Sequence, residues 1–194
     1  SPPWTVCWLS LDAGDNDPIR LLTYLTAALE SVRPEIGADS RSILQSPQSQ
    51  YPTTSISLFI NELQDLPQSV VMVLDDYQFI SNPTIHEGVI FLLDHLPGNV
   101  HLVISTRSDP PFPLALLRGR NQLIELRAND LRFTSTEAST FLTKIFNLSL
   151  TPEQITMLEN RTEGWIAGLQ MAALSMQGRV DISRFIEKFS GSHR

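Results

Sequence analysis

The sequence predicts an α/β fold, a mostly parallel sheet with flanking helices, followed by a small all-helical unit. Three observations carry that expectation. Strands and helices alternate through the first two-thirds of the chain, as in successive βαβ units. The run Val70-Val71-Met72-Val73-Leu74 is continuously apolar and rich in β-branched residues, which fits a parallel strand buried on both faces. Beyond about residue 130 only helical periodicity is legible. The expected division is residues 1–129 for the α/β unit and 130–194 for the helical one.

Trp4-Thr5-Val6-Cys7-Trp8-Leu9-Ser10-Leu11 reads as a first strand already under way, which suggests a piece of a longer protein. Asp17-Pro18 opens a helix, with Asp as N-cap and Pro at the first helical position. Leu22, Leu25, Leu29 and Val32 follow at helical spacing until Pro34 and Gly37 stop it. Residues 38–54 are polar, rich in Ser and Gln, and read as a loop with a short helical turn. Ile56, Phe59, Ile60 and Leu63 share one face of a helix over 54–65. The second strand follows, with Asp75-Asp76 at its C-terminal end. Asn82-Pro83 then opens a helix carrying Ile85, Val89, Leu92 and Leu93, closed by Pro97-Gly98. Val100 to Ser105 is a third strand, ending in Thr106-Arg107. A proline-rich turn and a short helix, Leu114 to Leu117, lead to a fourth strand at Leu123-Ile124-Glu125-Leu126.

In the helical unit, Thr134-Ser135-Thr136-Glu137 is a capping box ahead of Ala138, Phe141, Leu142, Ile145 and Phe146. Thr151-Pro152-Glu153-Gln154 is a second box. Trp165, Leu169, Ala172, Ala173 and Met176 mark a third helix, ended by Gly178. Asp181 caps a last one with Ile182, Phe185, Ile186 and Phe189.

Composition narrows the function classes. Among 194 residues, 14 basic side chains face 21 acidic ones, a net charge of −7, which disfavours a nucleic-acid surface within this chain. Cys7 stands alone, excluding an internal disulfide framework and a CxxC zinc site and suggesting a reducing compartment. No stretch approaches the roughly 18 apolar residues of a membrane span, and no signal peptide opens the chain. A cytoplasmic, soluble location is the expectation.

In open parallel sheets, ligands bind outside the carboxyl ends of the strands. Two such ends are polar here. At the first, Asp75 or Asp76 can hold Mg²⁺ directly or through water while its neighbour orients or deprotonates an attacking water. Equally, one Asp can cap the next turn and the other be solvated. At the second, Ser105-Thr106-Arg107-Ser108-Asp109, an arginine can sense a terminal phosphate, or can pair with Asp75, Asp76 or Asp109.

The two ends together resemble something more specific. Val70-Val71-Met72-Val73-Leu74-Asp75-Asp76-Tyr77 resembles the Walker B segment of STAND-class P-loop NTPases. His101-Leu102-Val103-Ile104-Ser105-Thr106-Arg107-Ser108-Asp109-Pro110-Pro111 resembles their sensor 1 strand. Leu123-Ile124-Glu125-Leu126-Arg127 with Asp130-Leu131-Arg132-Phe133-Thr134 is similar to the stretch leaving the NTPase core. Thr162-Glu163-Gly164-Trp165-Ile166-Ala167-Gly168-Leu169-Gln170 is similar to the helical domain behind it, and Trp8-Leu9-Ser10-Leu11-Asp12 with Asp15-Asn16-Asp17-Pro18 also fits. In order and spacing, nearly the whole chain resembles the MalT-like, ATP-dependent branch of LuxR-type transcriptional regulators.

That resemblance implies a signalling switch that binds ATP and Mg²⁺ and self-associates. It also implies an inducer acting on a C-terminal sensor region, and DNA contact through a helix-turn-helix further along. By position, it implies that Asp75 holds Mg²⁺, Asp76 positions the hydrolytic water and Arg107 contacts the γ-phosphate. Gln170 stands where related proteins carry the proline of a Gly-Leu-Pro segment lying against adenine. Gly164 and Trp165 read as packing residues.

A phosphate-gripping loop needs GxxxxGK[ST], and no glycine here begins that pattern. Lys144 lies between Thr143 and Ile145, and Lys188 between Glu187 and Phe189. The expectation is that the Walker A strand, loop and helix precede this sequence in the parent. The chain alone should then bind ATP weakly or not at all and expose strand edges prone to pairing. Two rivals stand beside this reading. One is a non-enzymatic protein-interaction or oligomerisation module in which Asp75 and Asp76 are relics. The other is a phosphoacceptor receiver-like domain, against which counts the lack of a lysine after Leu126, where Arg127-Ala128-Asn129 follows. His86, His95, His101 and His193 have neither a serine elbow nor metal-ligand spacing, and read as structural or surface residues.

Overall fold

The computed structural model describes residues 4–32, 37–44, 52–179 and 181–189. The helix stop expected at Pro34 and the tail histidine His193 lie outside them. The chain divides into two compact units, one up to Leu116 and one from Leu117.

The first unit holds a three-stranded parallel sheet: β1 (Trp4–Ser10), β2 (Ser69–Asp75) and β3 (Val100–Ile104), with β2 in the middle. Cys7 lies opposite Met72, and Met72 opposite Leu102. Because side chains alternate along a strand, this register puts Cys7, Val70, Met72, Leu74 and Val100 on one face. There they form a core with Leu21, Leu22, Leu25 and Leu29 of α1 (Pro18–Val32) and Phe59, Ile60 and Leu63 of α3 (Pro52–Gln64). Ile85, Val89 and Leu92 of α4 (Pro83–Asp94) complete it. The opposite face is open. Trp4, Val6, Trp8 and Val103 are 46%, 55%, 60% and 46% exposed. The expected burial of β2 on both faces therefore holds at Val73 and fails at Val71, which is half-buried.

Local signals fixed the helix starts. Asp17 Oδ1 accepts the Arg20 N–H at 2.8 Å, and Asn82 Oδ1 accepts the Thr84 N–H at 3.0 Å. Within the polar stretch 38–54, of which residues 45–51 lie outside the described ones, the expected short helical turn is α2 (Ala38–Leu44), a helix of two turns. Its first amides are satisfied from a distance, since Glu62 Oε1 of α3 accepts the N–H groups of Asp39 (3.1 Å) and Ser40 (3.3 Å).

The fourth strand does not form. Residues 122–127 are irregular, with Ile124 91% and Leu126 71% exposed. Strand composition is not enough without a neighbour to receive the ladder hydrogen bonds. Ion pairs hold the segment instead: Arg118 Nε meets Glu125 Oε2 at 2.6 Å, and Arg127 contacts the same carboxylate. Arg118 first and Arg127 second hold the Glu125 carboxyl well below the usual range, at about 2.

Helix α5 (Leu114–Gly119) crosses the division, and α6 (Ala128–Leu131) follows. The second unit continues with α7 (Ser135–Thr140), which runs into a π turn at Phe141–Ile145. Then come α8 (Pro152–Thr162), α9 (Ile166–Met176) and α10 (Ile182–Lys188). Both capping boxes form. Thr134 receives the Glu137 N–H while Glu137 returns to the Thr134 N–H at 2.9 Å, and Thr151 and Gln154 do the same. Asp181 caps α10 through the Arg184 N–H at 2.9 Å. Ala138, Leu142, Leu158, Leu169, Ala172, Ala173, Met176 and Ile186 make this unit's own core.

Candidate functional site

Parallel neighbours deliver their C-terminal ends to the same sheet edge. The last paired residues of β2 and β3 are Leu74 and Ile104, so Asp75 and Ser105 emerge abreast. Ser105 then clamps the end of β2. Its N–H donates to the Leu74 carbonyl at 3.0 Å, and its carbonyl accepts from the Tyr77 N–H at 2.9 Å. Its hydroxyl accepts from the Asp76 N–H at 3.1 Å and donates to the Asp75 carboxylate.

Between those contacts Asp76 adopts the left-handed conformation, φ 60° and ψ 40°. Asp tolerates this region better than most residues, but a non-glycine there is held only by its surroundings. Here the Ser105 clamp holds it on one side and Tyr77 on the other. Tyr77 is buried, its hydroxyl 2.9 Å from His86 Nδ1 and its ring 5.4 Å from that of Phe112. Burial pushes the Tyr77 hydroxyl up and the His86 imidazole down, which favours the neutral form of each. His86 packs against the rings of Tyr77 and Phe112.

The turn carries a second link. Gln78 Nε2 donates to Asp76 Oδ1 at 2.7 Å, and Gln78 Oε1 accepts the Arg107 N–H at 3.2 Å. The loop after β3 is shaped by Thr106 Oγ1 donating to the Ser108 carbonyl at 2.9 Å. Asp75, Asp76 and the backbone of Arg107 are therefore drawn into one hydrogen-bonded network. The Arg107 side chain is exposed and pairs with neither Asp75 nor Asp76 among the described residues. Gln170 lies in the second unit, exposed on α9. Trp165 is 39% exposed with the Arg132 guanidinium 5.8 Å over its ring.

A neighbouring loop braces this edge. Asn16, between β1 and α1, accepts through Oδ1 from the N–H groups of Ser81 (2.7 Å) and Asn82 (3.1 Å). Its Nδ2 donates to the Phe79 carbonyl at 2.7 Å. The segment following β2 is thereby tied to the segment following β1.

What the site can hold follows from its donors. Among the described residues no three His, Cys, Asp or Glu side chains gather as a metal cluster. Mg²⁺ does not require one, because it keeps several waters and is usually held by one or two carboxylates together with phosphate oxygens. Asp75, half-buried with one oxygen bonded to Ser105, fits as a single-carboxylate ligand of that kind. The bond from Ser105 to Asp75 and the bridge made by Gln78 are contacts that sequence reasoning missed, although Ser105 already stood in the polar strand end read there. The parallel register of β2 and β3 was the one signal that would have paired Ser105 with Asp75.

No family model matches the chain. Curated relatives do. It is 36% identical over 168 residues to the HTH-type transcriptional regulator MalT of Cronobacter sakazakii, covering 87% of this chain and 19% of that protein. To MalT of Klebsiella pneumoniae subsp. pneumoniae it is 33% identical over 185 residues, 95% of this chain and 20% of that protein. To MalT of Serratia proteamaculans it is 39% identical over 171 residues, 87% and 19% of the two chains. The chain thus spans about one fifth of the length of the curated relatives it matches.

Proposed function

We propose that this chain, a MalT-like regulator segment by that similarity, is the magnesium-and-sensor side of an ATP-dependent switch in a LuxR-type transcriptional regulator. The observation that carries the reading is the locking of Asp75, Asp76 and the Arg107 backbone at the shared C-terminal edge of two adjacent parallel strands. In this reading Asp75 ligates Mg²⁺, which when bound neutralises phosphate charge. Asp76, with Oδ1 held by Gln78, turns its other oxygen to the attacking water. The exposed Arg107 guanidinium meets the γ-phosphate. The stretch that carries Gln170, residues 130–194, is in this reading the helical domain that follows the NTPase core. Self-association, inducer sensing and DNA contact belong to the longer regulator, the last through a helix-turn-helix outside this chain.

A second reading draws on the open apolar sheet face of Trp4, Val6, Trp8 and Val103, which suits a protein-interaction or oligomerisation module. Among the described residues no helix is long and apolar enough to cross a membrane.

Calorimetric titration with Mg-ATP tests the first reading. In a protein of the relatives' length that carries this segment, binding is expected near micromolar Kd, about −8 kcal/mol, and to weaken when Asp75→Asn is introduced. The isolated chain, which contains no GxxxxGK[ST], is expected to bind no tighter than about 1 mM. A long form that binds no Mg-ATP, or binds it equally with Asp75→Asn, overturns the switch reading and favours the interaction module.

A further inference from the structure

We infer that Gln78 is a positioning residue that couples the loop of Arg107 to the carboxylate of Asp76; the inference rests on the ATP-switch reading above. Gln78 is half-buried in the single turn Tyr77–Phe79 that the left-handed Asp76 initiates, and the buried Tyr77 roots that turn. Its amide spans the two strand ends, 2.7 Å to Asp76 Oδ1 and 3.2 Å to the Arg107 nitrogen.

The chemistry of the partners sets the amide's orientation. An ionised carboxylate only accepts, and a backbone N–H only donates. Turning the amide over would set oxygen against oxygen and NH₂ against N–H, losing both bonds. One planar group therefore joins an acceptor on the β2 end to a donor on the β3 end, and it cannot follow one without moving against the other. Two consequences follow. Holding Oδ1 of Asp76 fixes the rotation of the carboxylate, and with it the direction in which its other oxygen meets a water. A shift of the Arg107 backbone, as its guanidinium engages an anion, is passed to that carboxylate.

The alternative is that Gln78 merely tethers two loops, and two near-isosteric substitutions separate the cases. Gln78→Met keeps the length and removes both polar ends. Gln78→Glu keeps the shape and still accepts from the Arg107 N–H, but sets a second carboxylate against Asp76. Neither variant keeps both bonds, so mere tethering predicts that any loss of rate comes with looser nucleotide binding, a Kd that rises in step. Positioning predicts that both lower the rate while Kd stays nearly unchanged, with Glu as poor as Met or worse.

The measurement is single-turnover hydrolysis together with Mg-ATP affinity, in a protein of the relatives' length carrying this segment. Both variants are expected to lower the hydrolysis rate about 10- to 100-fold, the range for a misplaced reacting group, with Kd changed by no more than about twofold. Should Met perturb folding, seen as a lowered Tm, Glu carries the test. A Glu variant at the wild-type rate overturns the inference. So does a folded Met variant at that rate, or a Kd that rises in step with the loss of rate. If the wild type and Asp76→Asn turn over equally, the ATP-switch reading falls and takes this inference with it. If turnover depends on Asp76 but not on Gln78, the inference alone falls.

Discussion

Asp76→Asn is expected to lower ATP turnover about 100-fold or more, the lower end of what a positioned proton acceptor contributes. Mg-ATP affinity should hardly change. The substitution isolates one property of the residue. Asparagine shares aspartate's tolerance of the left-handed backbone, so φ 60° at this position survives. The backbone N–H still reaches Ser105 Oγ, and a side-chain carbonyl can still accept from Gln78. What is lost is the second carboxylate oxygen, replaced by a donor that cannot take a proton or orient a water by accepting from it. Phosphate release from a protein of the relatives' length carrying this segment is the readout. Turnover at the wild-type rate would remove Asp76 from the chemistry.

Gly164→Ala is expected to destabilise the helical unit by about 2–4 kcal/mol, large for a single methyl group. Gly164 sits at φ +74°, where any Cβ is penalised by roughly 1–2 kcal/mol. A Cβ there would also lie 2.9 Å from the Phe133 carbonyl oxygen and 3.3 Å from its nitrogen. Phe133 cannot retreat freely, because its N–H donates to the Gly164 carbonyl at 2.8 Å and the next residue, Thr134, opens the α7 capping box. Gly178 supplies the control. It has the same φ, +74°, but nothing within 4 Å of a built Cβ, so its alanine variant should show the backbone penalty alone. Because the chain has two compact units, hydrogen exchange of the α7–α9 amides reports the loss better than a global unfolding curve. Equal effects at the two glycines would refute the steric argument. A large effect at Gly164 would also support the packing role read for that glycine.

What was legible in the sequence is local. Thr134 with Glu137, Thr151 with Gln154, and Asp181 before Ile182 announce helix starts within three or four residues, and the caps form. The apolar runs of β2 and β3 end at or next to Asp75 and Ser105, so the sequence alone marks the candidate strand ends. What was not legible depends on partners far along the chain. Ser105 reaches back 30 residues to Asp75, Gln78 receives an amide 29 residues ahead, and Asn16 binds Ser81 from 65 residues away. Glu62 caps α2 from 22 and 23 residues off, so the expected short helical turn becomes a helix over Ala38–Leu44. Leu123-Ile124-Glu125-Leu126 is the converse case. Its composition asks for a strand, but a strand is a property of a pair, and residues 122–127 stay outside the sheet with Glu125 bound by Arg118 and Arg127.

The central claim is that the ends of β2 and β3 face the phosphates of a magnesium-bound nucleotide. A crystal structure of a protein of the relatives' length carrying this segment, with Mg²⁺ and a non-hydrolysable ATP analogue, tests it most directly. The account predicts the Arg107 guanidinium on the terminal phosphate, Asp75 in the metal's coordination sphere, and a water on the Asp76 oxygen that Gln78 leaves free. A nucleotide bound with Asp75, Asp76 and Arg107 all out of contact would contradict it.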